Sequence, residues 1–471
     1  MRDRLEGGTL SIVISERFGM KINAYSLKSA AVAAIGGLLF GFDTAVISGA
    51  TNDLTATYHL TPMLLGVTVA SALLGTVAGA VLSGIPGERF GSRDCLRGLA
   101  VLYLISALGS AGAWSWSAFL IFRVIGGIAI GGSSVLGPIY IAEIAPPKWR
   151  GGLVGFFQLN VVAGILIAYF SNYVIGAAQV GVSEWRWMVG VAALPAAIFF
   201  GMLLGIPHSP RWLARKNRID EAREVLMLTG EEQFETELQA IIASIQTEDL
   251  YQKDRLFARK NLFPIFLVIS IGMFNQLSGI NAILYYLNSI FTTAGYGALS
   301  ASLQAIVVGF TLLIFTLVGM FAIDRLGRKT LLLIGSVGTC FCLTGIGLIL
   351  VSHKYPSLLV WLLISFIAFF AFSQGAVIWV YISEVFPNSL RTKGQSLGSF
   401  SHWSMNAFVS MLFPVIAAMS GAYPFFFFAS MMVLQFFVVL FIYPETKGLS
   451  LEEVTQNLGH SRFRRRKLTI A

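Results

Sequence analysis

The stretch Glu88-Arg-Phe-Gly-Ser-Arg93 occurs a second time, with conservative changes, as Asp324-Arg-Leu-Gly-Arg-Lys329. A second related pair runs from Glu143 to Gly151 and from Glu384 to Gly394. The first pair follows the second and eighth apolar runs of the chain, and the second pair follows the fourth and tenth. Matching motifs after matching runs indicate a duplicated six-helix unit. Parallel repeats related by an axis along the membrane normal carry a substrate site near the midplane between the two halves.

The composition is that of an integral membrane protein. The chain has 471 residues, of which 56% are hydrophobic and only 12% are charged, whereas about a quarter of the residues in a soluble domain are charged. Apolar runs of around 20 residues recur along the whole length, each long enough to cross a hydrocarbon core of about 30 Å as a helix. We expect an all-α membrane protein with no soluble catalytic domain and no cleaved signal peptide, because the leader is polar and the first run lacks a small-residue cleavage site.

Apolar runs bounded by charge, glycine and proline predict about twelve spans in two groups. The N-terminal half covers 28–206 and the C-terminal half 263–443, between tails at 1–27 and 444–471. A polar linker, 207–262, separates the halves, and its apolar residues repeat at helical spacing, which predicts short amphipathic helices packed under the bundle. The predicted spans are 28–50, 62–83, 98–113, 118–140, 153–175, 187–206, 263–291, 301–323, 330–351, 358–382, 396–419 and 424–443.

The basic residues fall mainly on one side of the predicted spans. If the N-terminus is cytoplasmic, the other side receives little beyond Arg186 and Lys354. The positive-inside rule then predicts that both termini are cytoplasmic. The net charge of +9 and the basic run Arg462–Lys467 are explained by this topology and by contact of the tail with anionic membrane lipid, so no nucleic-acid partner is expected.

No cofactor or metal is indicated by the sequence. Cys95, Cys340 and Cys342 are too few and too badly spaced for a thiolate metal site or a disulfide framework. The five histidines include no pair at i, i+4, and the linker has no glycine-rich phosphate loop. The alternative from a different class is a polytopic membrane enzyme. The sequence shows no set of nucleophile, base and metal ligands for such an enzyme, so we expect that the protein is not an enzyme.

Asp43 is a carboxylate inside the first apolar run, Gly36–Ala50 (GGLLFGFDTAVISGA). A charged side chain at mid-bilayer costs roughly 2.5 to 3.5 kcal/mol on translocon-based scales, so such a residue usually faces the bundle interior or a water-filled cavity and has a partner. Two interpretations remain open for Asp43. It is either a functional group or the structural half of an ion pair that fixes helix packing.

Three further motifs make the comparison with known families specific. They are Pro207-His-Ser-Pro-Arg-Trp-Leu213, Asn275-Gln-Leu-Ser-Gly-Ile-Asn281 with Tyr285-Tyr286, and Pro444-Glu-Thr-Lys-Gly448. With the two acidic-Arg turns, and over essentially the whole chain, they resemble the sugar porter family of the major facilitator superfamily. That family includes the bacterial xylose:proton symporter and the mammalian facilitative glucose carriers. The resemblance implies the major facilitator fold, with about twelve transmembrane helices in two six-helix halves.

The resemblance also implies a monosaccharide site built from amides and an indole. Sugar hydroxyls both donate and accept hydrogen bonds, as side-chain amides do, and the C–H faces of a sugar pack on an indole ring. The structural alternative is that the amides form hydrogen bonds between helices and that the Trp fills space in the bundle. The implied substrate-binding residues are Gln158, Asn275, Gln276, Asn281, Trp379 and Asn406, and the candidate neighbours of the substrate are His402, Trp403, Tyr285 and Tyr286.

The chain departs from the family pattern at several positions, which leaves the identity of the sugar open. At each of these positions the family has an amide, an acid or a proline, and this chain has another residue. In this chain Asn275 replaces the first Gln of the family's Gln-Gln pair, Leu312 (beside Thr311) replaces Asn, and His402 replaces Asn or Gln. Ala376, after Gly375, replaces Pro, and His208 replaces Glu.

Proton coupling is implied by the residue at position 43. Family members that couple to protons resemble this chain in carrying Asp within Gly-x-Asp-x-x-x-x-Ser-Gly, whereas the facilitative carriers have Asn. The implied partner is Arg123, the only basic residue well inside a predicted span. A carboxylate beside a guanidinium in a low-dielectric cavity can be switched by breaking and reforming that contact as water reaches it from one side.

We therefore expect a secondary active transporter, a sugar:proton symporter of a bacterial inner membrane that works by alternating access as a monomer. The alternatives are a facilitative sugar uniporter or a sugar sensor of the same fold. The repeated motifs are expected to form a cytoplasmic gate. Its implied residues are Arg89, Glu143, Arg150, Arg325, Glu384 and Arg391.

Overall fold

Twelve long apolar helices make up most of the part of the chain that the structure describes. The computed structural model describes residues 23–146, 149–181, 183–230, 233–251, 256–386 and 390–447, so the predicted basic tail lies outside the described residues. Over the described ranges the chain is helical with no strand, and twelve helices are long and apolar enough to cross a membrane. This confirms the predicted all-α architecture. The spans are Ala24–Tyr58, Pro62–Leu82, Ser92–Ala111, Trp116–Ile144, Arg150–Ala178, Glu184–Leu203, Leu262–Tyr285, Ala298–Leu326, Arg328–Ser352, Pro356–Glu384, Arg391–Met419 and Tyr423–Phe441.

The first span is longer than predicted at both ends. It begins after Asn23, whose side chain accepts a hydrogen bond from the N–H of Tyr25 at 2.8 Å, and it ends at His59 in the left-handed region. The sequence prediction stopped at Ala50 because the next turn is polar. Those polar residues nevertheless continue the helix, and Thr51 is fully buried.

The seventh and tenth spans are broken, which the hydropathy pattern did not predict. The seventh consists of Leu262–Leu277 and Ile280–Tyr285, followed by a short helix, Leu287–Thr293. Its break lies at Gly279 (φ +84°), a conformation that glycine adopts without strain. The tenth consists of Pro356–Phe372 and Gln374–Glu384 and breaks at Ser373, so this break forms without the proline that the family carries nearby.

Glycines allow close helix contacts inside the N-terminal half. Gly75 and Gly79 of the second span lie against Gly127 and Gly131 of the fourth, so closely that a Cβ at any of the four would overlap a backbone carbonyl oxygen of the other helix. Small residues one turn apart are the usual means of close helix packing in membranes. This contact fixes the fourth span, and with it Arg123, against the interior of the half.

The two halves contact each other through three pairs of spans. We call the end that carries the linker helices the linker face, and the other end the opposite face. The halves pack through spans 2 and 11, 5 and 8, and, toward the opposite face, 1 and 7, where Thr51 Oγ1 lies 3.1 Å from Ser289 Oγ. Spans 4 and 10 do not pack closely on each other in the described part of the chain. The halves are therefore closed toward the opposite face.

The linker forms the amphipathic helices that its periodicity predicted. They are Pro210–Arg215, Ile219–Leu228 and Phe234–Tyr251, followed by a 3-10 turn, Arg259–Asn261. Their apolar faces join the core of the N-terminal half, since Leu213, Ala222 and Leu238 are buried in the same cluster as residues of the first six spans.

Candidate functional site

Asp43 and Arg123 form an ion pair in the interior of the N-terminal half. Arg123 Nη1 donates to Asp43 Oδ1 at 2.5 Å, and the side chains are only 3% exposed for Arg123 and 14% for Asp43. The Arg123 Nε is buried and has no hydrogen-bond acceptor among the described residues. A buried ion pair offsets the cost of desolvating its two charges only when its remaining polar atoms are also hydrogen-bonded. Asp43 and Arg123 share a single hydrogen bond, so this cost is only partly offset and the pair is suited to being opened.

A small cavity beside this pair is lined by residues from both halves. Its volume of about 10 Å³ is close to what one water needs. The C-terminal half contributes Tyr285 and Trp403, whereas the rest of the wall comes from the first, second and fourth spans. The remaining lining residues are Phe40, Asp43, Thr44, Ile47, Val69, Ala72, Leu73, Thr76, Arg123 and Ile130.

The break in the seventh span places three of the predicted amides in one hydrogen-bonded network. Gln276 Nε2 donates to Asn275 Oδ1 at 3.1 Å and to a ring nitrogen of His402, whose Nε2 lies at 3.1 Å. Asn281 Nδ2 donates to Gln276 Oε1 at 3.0 Å. Gln276 is fully buried, so most of its hydrogen-bonding capacity is used within the protein. One ring nitrogen of His402 accepts this bond, and the other remains for a further partner.

Aromatic rings connect this network to the first span. The ring of His402 lies 5.1 Å from that of Trp379 and 5.0 Å from that of Trp403. Trp403 in turn lies 5.3 Å from Phe40, which belongs to the other half and precedes Asp43 by three residues. Trp379 is more than a third exposed. An indole with exposed surface can pack on an apolar side of a ligand.

Asn406 is a tether between the seventh and eleventh spans in this structure. Its Nδ2 donates to Tyr285 Oη at 3.3 Å, and its Oδ1 accepts from Ser410 Oγ at 3.1 Å. Tyr286 Oη donates to the Ser410 carbonyl at 3.1 Å, and the Tyr286 ring stacks on Phe413 at 5.1 Å. Asn406 is completely buried, so its amide orders this interface.

Gln158 stands apart from the C-terminal network. It is half-buried in the fifth span, and the described residues include no hydrogen-bond partner for its side chain. Leu312, where the family has Asn, is buried, and the neighbouring Thr311 donates its hydroxyl hydrogen to the Val307 carbonyl at 2.9 Å. The eighth span therefore offers fewer donors here than the family pattern implies.

The predicted gate residue Glu384 binds Arg328. Arg328 Nη2 and Nε donate to the two carboxylate oxygens at 2.7 and 3.1 Å, and Thr446 Oγ1 donates to Oε2 at 2.6 Å. Sequence reasoning had placed Arg325 in this network. Arg328 was overlooked because the matching position of the first repeat is Ser92, which has no charge.

Glu445 explains the Pro444-Glu-Thr-Lys-Gly448 motif. Its carboxylate accepts hydrogen bonds from the N–H groups of Arg328 and Lys329 at 2.9 and 3.0 Å. These N–H groups belong to the first turn of the ninth span, where a negative charge is stabilised by the helix dipole. The motif therefore fastens the chain after the twelfth span to the start of the ninth.

His208 occupies the corresponding place in the N-terminal half, where Pro207-His208-Ser209 matches Pro444-Glu445-Thr446. Its Nε2 lies 2.6 Å from Arg93 Nη2, and its ring stacks on Trp212 at 4.3 Å. Burial, and after it the charge of Arg93, lowers the pKa of His208 to about 4. Asp94 supplies the carboxylate, since its Oδ1 accepts from Arg93 Nε at 2.9 Å. In this half the acid beside the motif is therefore Asp94, which binds the Arg93 side chain.

Sequence reasoning did not identify Phe40, Arg328 or Asp94. Phe40 could have been found from its spacing to Asp43, because residues three apart share a helix face. Asp94 could have been found as the acid that directly follows Arg93 at the end of the first repeated motif. Arg328 has no comparable signal in a single sequence.

Three comparisons with known proteins bear on this site. A sequence profile described as "Sugar (and other) transporter" matches residues 29–458. The arabinose-proton symporter of Bacillus subtilis is 38% identical over 429 residues, which cover 90% of this chain and 92% of that protein. The D-xylose-proton symporter of Escherichia coli is 34% identical and covers 92% and 95%. The solved inward-open structure of the Escherichia coli xylose transporter matches with a TM-score of 0.82, 34% identity, and 92% and 99% coverage.

Proposed function

The chain belongs to the sugar transporter family, with the fold of the major facilitator superfamily, and we propose that it is a sugar:proton symporter that moves a monosaccharide by alternating access. It is an integral, multi-pass membrane protein. The observation that carries the proposal is the Asp43–Arg123 pair, which lines one small cavity together with Tyr285 and Trp403 of the other half. Relatives of about the same length are named as proton symporters of arabinose and xylose.

The sugar binds between the halves, against the Gln276 network and Gln158. Gln276 is saturated by its neighbours, so it positions Asn281 and His402, which present the remaining amide groups and the imidazole N–H to the hydroxyls. Gln158, on the fifth span, closes the site from the N-terminal half. Trp379 offers its exposed ring to a C–H face of the sugar. The substrate class is a pentose, a hexose or a polyol of similar size.

Coupling follows from the state of Asp43. When Asp43 is charged, it holds Arg123. Protonation removes the charge, releases Arg123 and changes the wall that Tyr285 and Trp403 share with the pair. Since Trp403 contacts His402, the same movement reaches the sugar network. The two ligands therefore favour the same conformational change, which is the requirement for symport.

We infer that the linker face is cytoplasmic, because the basic loops lie at that face. We infer a bacterial inner membrane because the relatives named above are bacterial. With the opposite face closed, this is the inward-facing state. In the outward-facing state we expect the linker-face motifs to close as a clasp of individually weak ion pairs. Neutralising Glu143 and Glu384 together should slow transport and shift the conformational equilibrium toward the inward-facing state. Sugar binding should remain intact. The residues of this clasp are Arg89, Glu143, Arg150, Arg325, Glu384 and Arg391.

The test is transport by the purified protein in proteoliposomes, with arabinose, xylose, glucose and myo-inositol each supplied with and without an inward proton gradient. We expect one or more of them to be accumulated and to cause alkalinisation outside. Asp43→Asn should abolish accumulation while sugar exchange, which needs no net proton movement, continues. Arg123→Gln should also uncouple, with lower expression, because it leaves Asp43 buried without its partner.

Wild-type protein that equilibrates sugar without accumulating it would reassign the chain as a uniporter. An Asp43→Asn variant that still concentrates sugar would return Asp43 to a purely structural role. Gln158→Ala and Asn281→Ala should each weaken sugar binding by about tenfold, because a sugar hydroxyl loses its partner at about 1 to 3 kcal/mol. Unchanged affinity in both folded variants would remove the proposed sugar site.

A further inference from the structure

Tyr285 brings a hydroxyl group from the C-terminal half to the small cavity beside Asp43. Its side chain is almost completely buried, and its Oη accepts a hydrogen bond from Asn406 Nδ2 at 3.3 Å. The hydroxyl hydrogen has no acceptor among the described residues. The charges of Asp43 and Arg123 both act on this hydroxyl. Because a buried donor without an acceptor is costly, we expect its hydrogen to be bonded from the cavity.

Asp43 offers the complementary acceptor. Its Oδ1 accepts from Arg123 Nη1, whereas its Oδ2 accepts no hydrogen bond from the described residues. Asp43 and Tyr285 share no direct hydrogen bond. The cavity that both side chains line measures about 10 Å³, which is close to the space that one water needs. A single water can therefore accept from Tyr285 Oη and donate to Asp43 Oδ2.

The other polar side chains of the cavity are less suited to respond to a proton. Thr44 Oγ1 and Thr76 Oγ1 each donate to a carbonyl of their own helix at 2.9 Å. Trp403 adds an indole N–H, which can only donate. A tyrosine hydroxyl both donates and accepts, so the direction of its hydrogen bonds can reverse when a neighbouring carboxylate becomes a carboxylic acid.

Several spans present charged or titratable groups near Asp43. Arg123 holds its carboxylate. Tyr103 of the third span, on which the charge of Asp43 also acts, lies 2.9 Å from Ser133 Oγ. His402 of the eleventh span contacts the far side of this wall, through the Trp403 ring. The second span has no such group. The fifth and sixth spans, which also pack on the first, carry Arg150, Tyr169, Tyr173, Glu184 and Arg186, and none of these lines the cavity.

We propose that one water in this cavity joins Asp43 to Tyr285, so that the Tyr285 hydroxyl passes the charge state of Asp43 to Asn406. While Asp43 is charged, Tyr285 donates to the water and the water donates to the carboxylate. Protonated Asp43 keeps its proton and donates to the water, which then donates to Tyr285 Oη. The hydroxyl hydrogen is left without an acceptor, which weakens the Asn406 tether between the seventh and eleventh spans. This inference rests on the proton coupling proposed above.

The experiment measures sugar uptake into proteoliposomes as a function of pH. In Tyr285→Phe the charged carboxylate loses a hydrogen bond that favours it, so the midpoint of the proton dependence should shift to higher pH by about one unit. Accumulation of sugar should fall. Replacing Tyr285 by 3-fluorotyrosine keeps the hydroxyl and makes it a stronger donor, because fluorine withdraws electrons from the phenol, so the midpoint should shift to lower pH. This second variant also serves if Tyr285→Phe does not fold.

Tyr169→Phe is the matched control. The Tyr169 hydroxyl is also buried and donates to the Leu284 carbonyl, next to Tyr285, at 3.0 Å, but Tyr169 does not line the cavity. Its midpoint should equal that of the wild type. The inference is overturned if folded Tyr285→Phe keeps the wild-type midpoint, if 3-fluorotyrosine does not shift it the opposite way, or if Tyr169→Phe shifts it equally.

A measurement without sugar separates this inference from the proposed function. The melting temperature of each protein is compared across pH with that of the same protein carrying Asp43→Asn, and the difference reports the titration of Asp43. Tyr285→Phe should move this difference curve to higher pH by the same amount. Wild-type protein without proton-dependent uptake would refute the proposed function, whereas the difference curves would still decide whether Tyr285 is linked to Asp43.

Discussion

Gly66 offers the sharpest test of how the opposite face closes. It lies in the second span, against the backbone of Met411 in the eleventh span of the other half. A Cβ at Gly66 would overlap the Met411 carbonyl oxygen and lie 3.2 Å from the Met411 Cα. These are backbone atoms that cannot rotate away. The Gly66→Ala side chain therefore forces the two spans apart by about 1.4 Å before an ordinary C···O contact of about 3.3 Å is restored.

The free-energy cost of this separation falls on one conformational state. Overpacking by a methyl group costs about 1 to 3 kcal/mol. Because the contact joins the two halves, the cost applies only while the opposite face is closed and vanishes when that face opens. The ratio of outward-facing to inward-facing protein should therefore rise by about 5- to 150-fold. Transport should slow, because each cycle must pass through the disfavoured closed state, whereas sugar binding from the opposite side should persist.

The assay is the labelling rate of a Ser289→Cys reporter with an impermeant maleimide, in a background without native cysteines. Ser289 lies at the contact between the halves, with its Oγ 3.1 Å from Thr51 Oγ1, so opening of the opposite face should raise its labelling rate. Gly98→Ala is the neutral control, because a Cβ there meets nothing within 4 Å. Gly127→Ala creates a similar overlap within one half and should lower thermal stability without faster labelling. If folded Gly66→Ala labels no faster than Gly98→Ala, the closure argument is wrong.

Three further predictions concern single side chains. His402→Gln adds an amide donor and acceptor and should change the order in which sugars compete for uptake, with proton coupling retained; an unchanged order in a competition assay would exclude His402 from specificity. Glu384→Gln weakens its two bonds with Arg328, at about 1.5 to 3 kcal/mol for charged hydrogen bonds, and should lower the melting temperature measured by thermal shift. The low pKa of His208 means that the unfolded chain takes up a proton between pH 6.5 and about 4 that the folded chain does not. The folding stability of the wild type should therefore fall as the pH falls through that window, and that of His208→Asn should fall less. Parallel stability-versus-pH curves for the two proteins would contradict this.

The overall architecture could be predicted from the sequence because its causes are local. Runs of apolar residues give the spans, and repeated motifs give the two halves. The Asp43–Arg123 contact could also be anticipated, because two opposite charges within apolar helices have few other ways to avoid an uncompensated cost in the membrane. This prediction names the two residues but not the atoms through which they bind. The distance of 2.5 Å and the unpaired Nε of Arg123 required the structure.

The details of the proposed sugar site could not be predicted in the same way. The sequence identifies Asn275, Gln276 and Asn281 as amides but does not reveal that they bond one another. That arrangement depends on the break at Gly279, which lies inside an apolar run and changes only the backbone torsion angles. His402 was recognised as a departure from the family, whereas its bond with Gln276 depends on the packing of the seventh and eleventh spans.

The position of Phe40 suggests how the proposed proton site and the Gln276 network of the proposed sugar site can act together. Phe40 and Asp43 lie three residues apart on the same helix, so a shift or rotation of the first span moves both. Phe40 packs on Trp403, and Trp403 packs on His402, which accepts a hydrogen bond from Gln276. Rings in a packed interior respond to such a shift by repacking, because the interior has little free volume. When Asp43 releases Arg123, the first span can move against Trp403, and a sugar held by His402 and Asn281 biases the same contact from the other side. Coupling therefore requires no direct contact between proton and sugar.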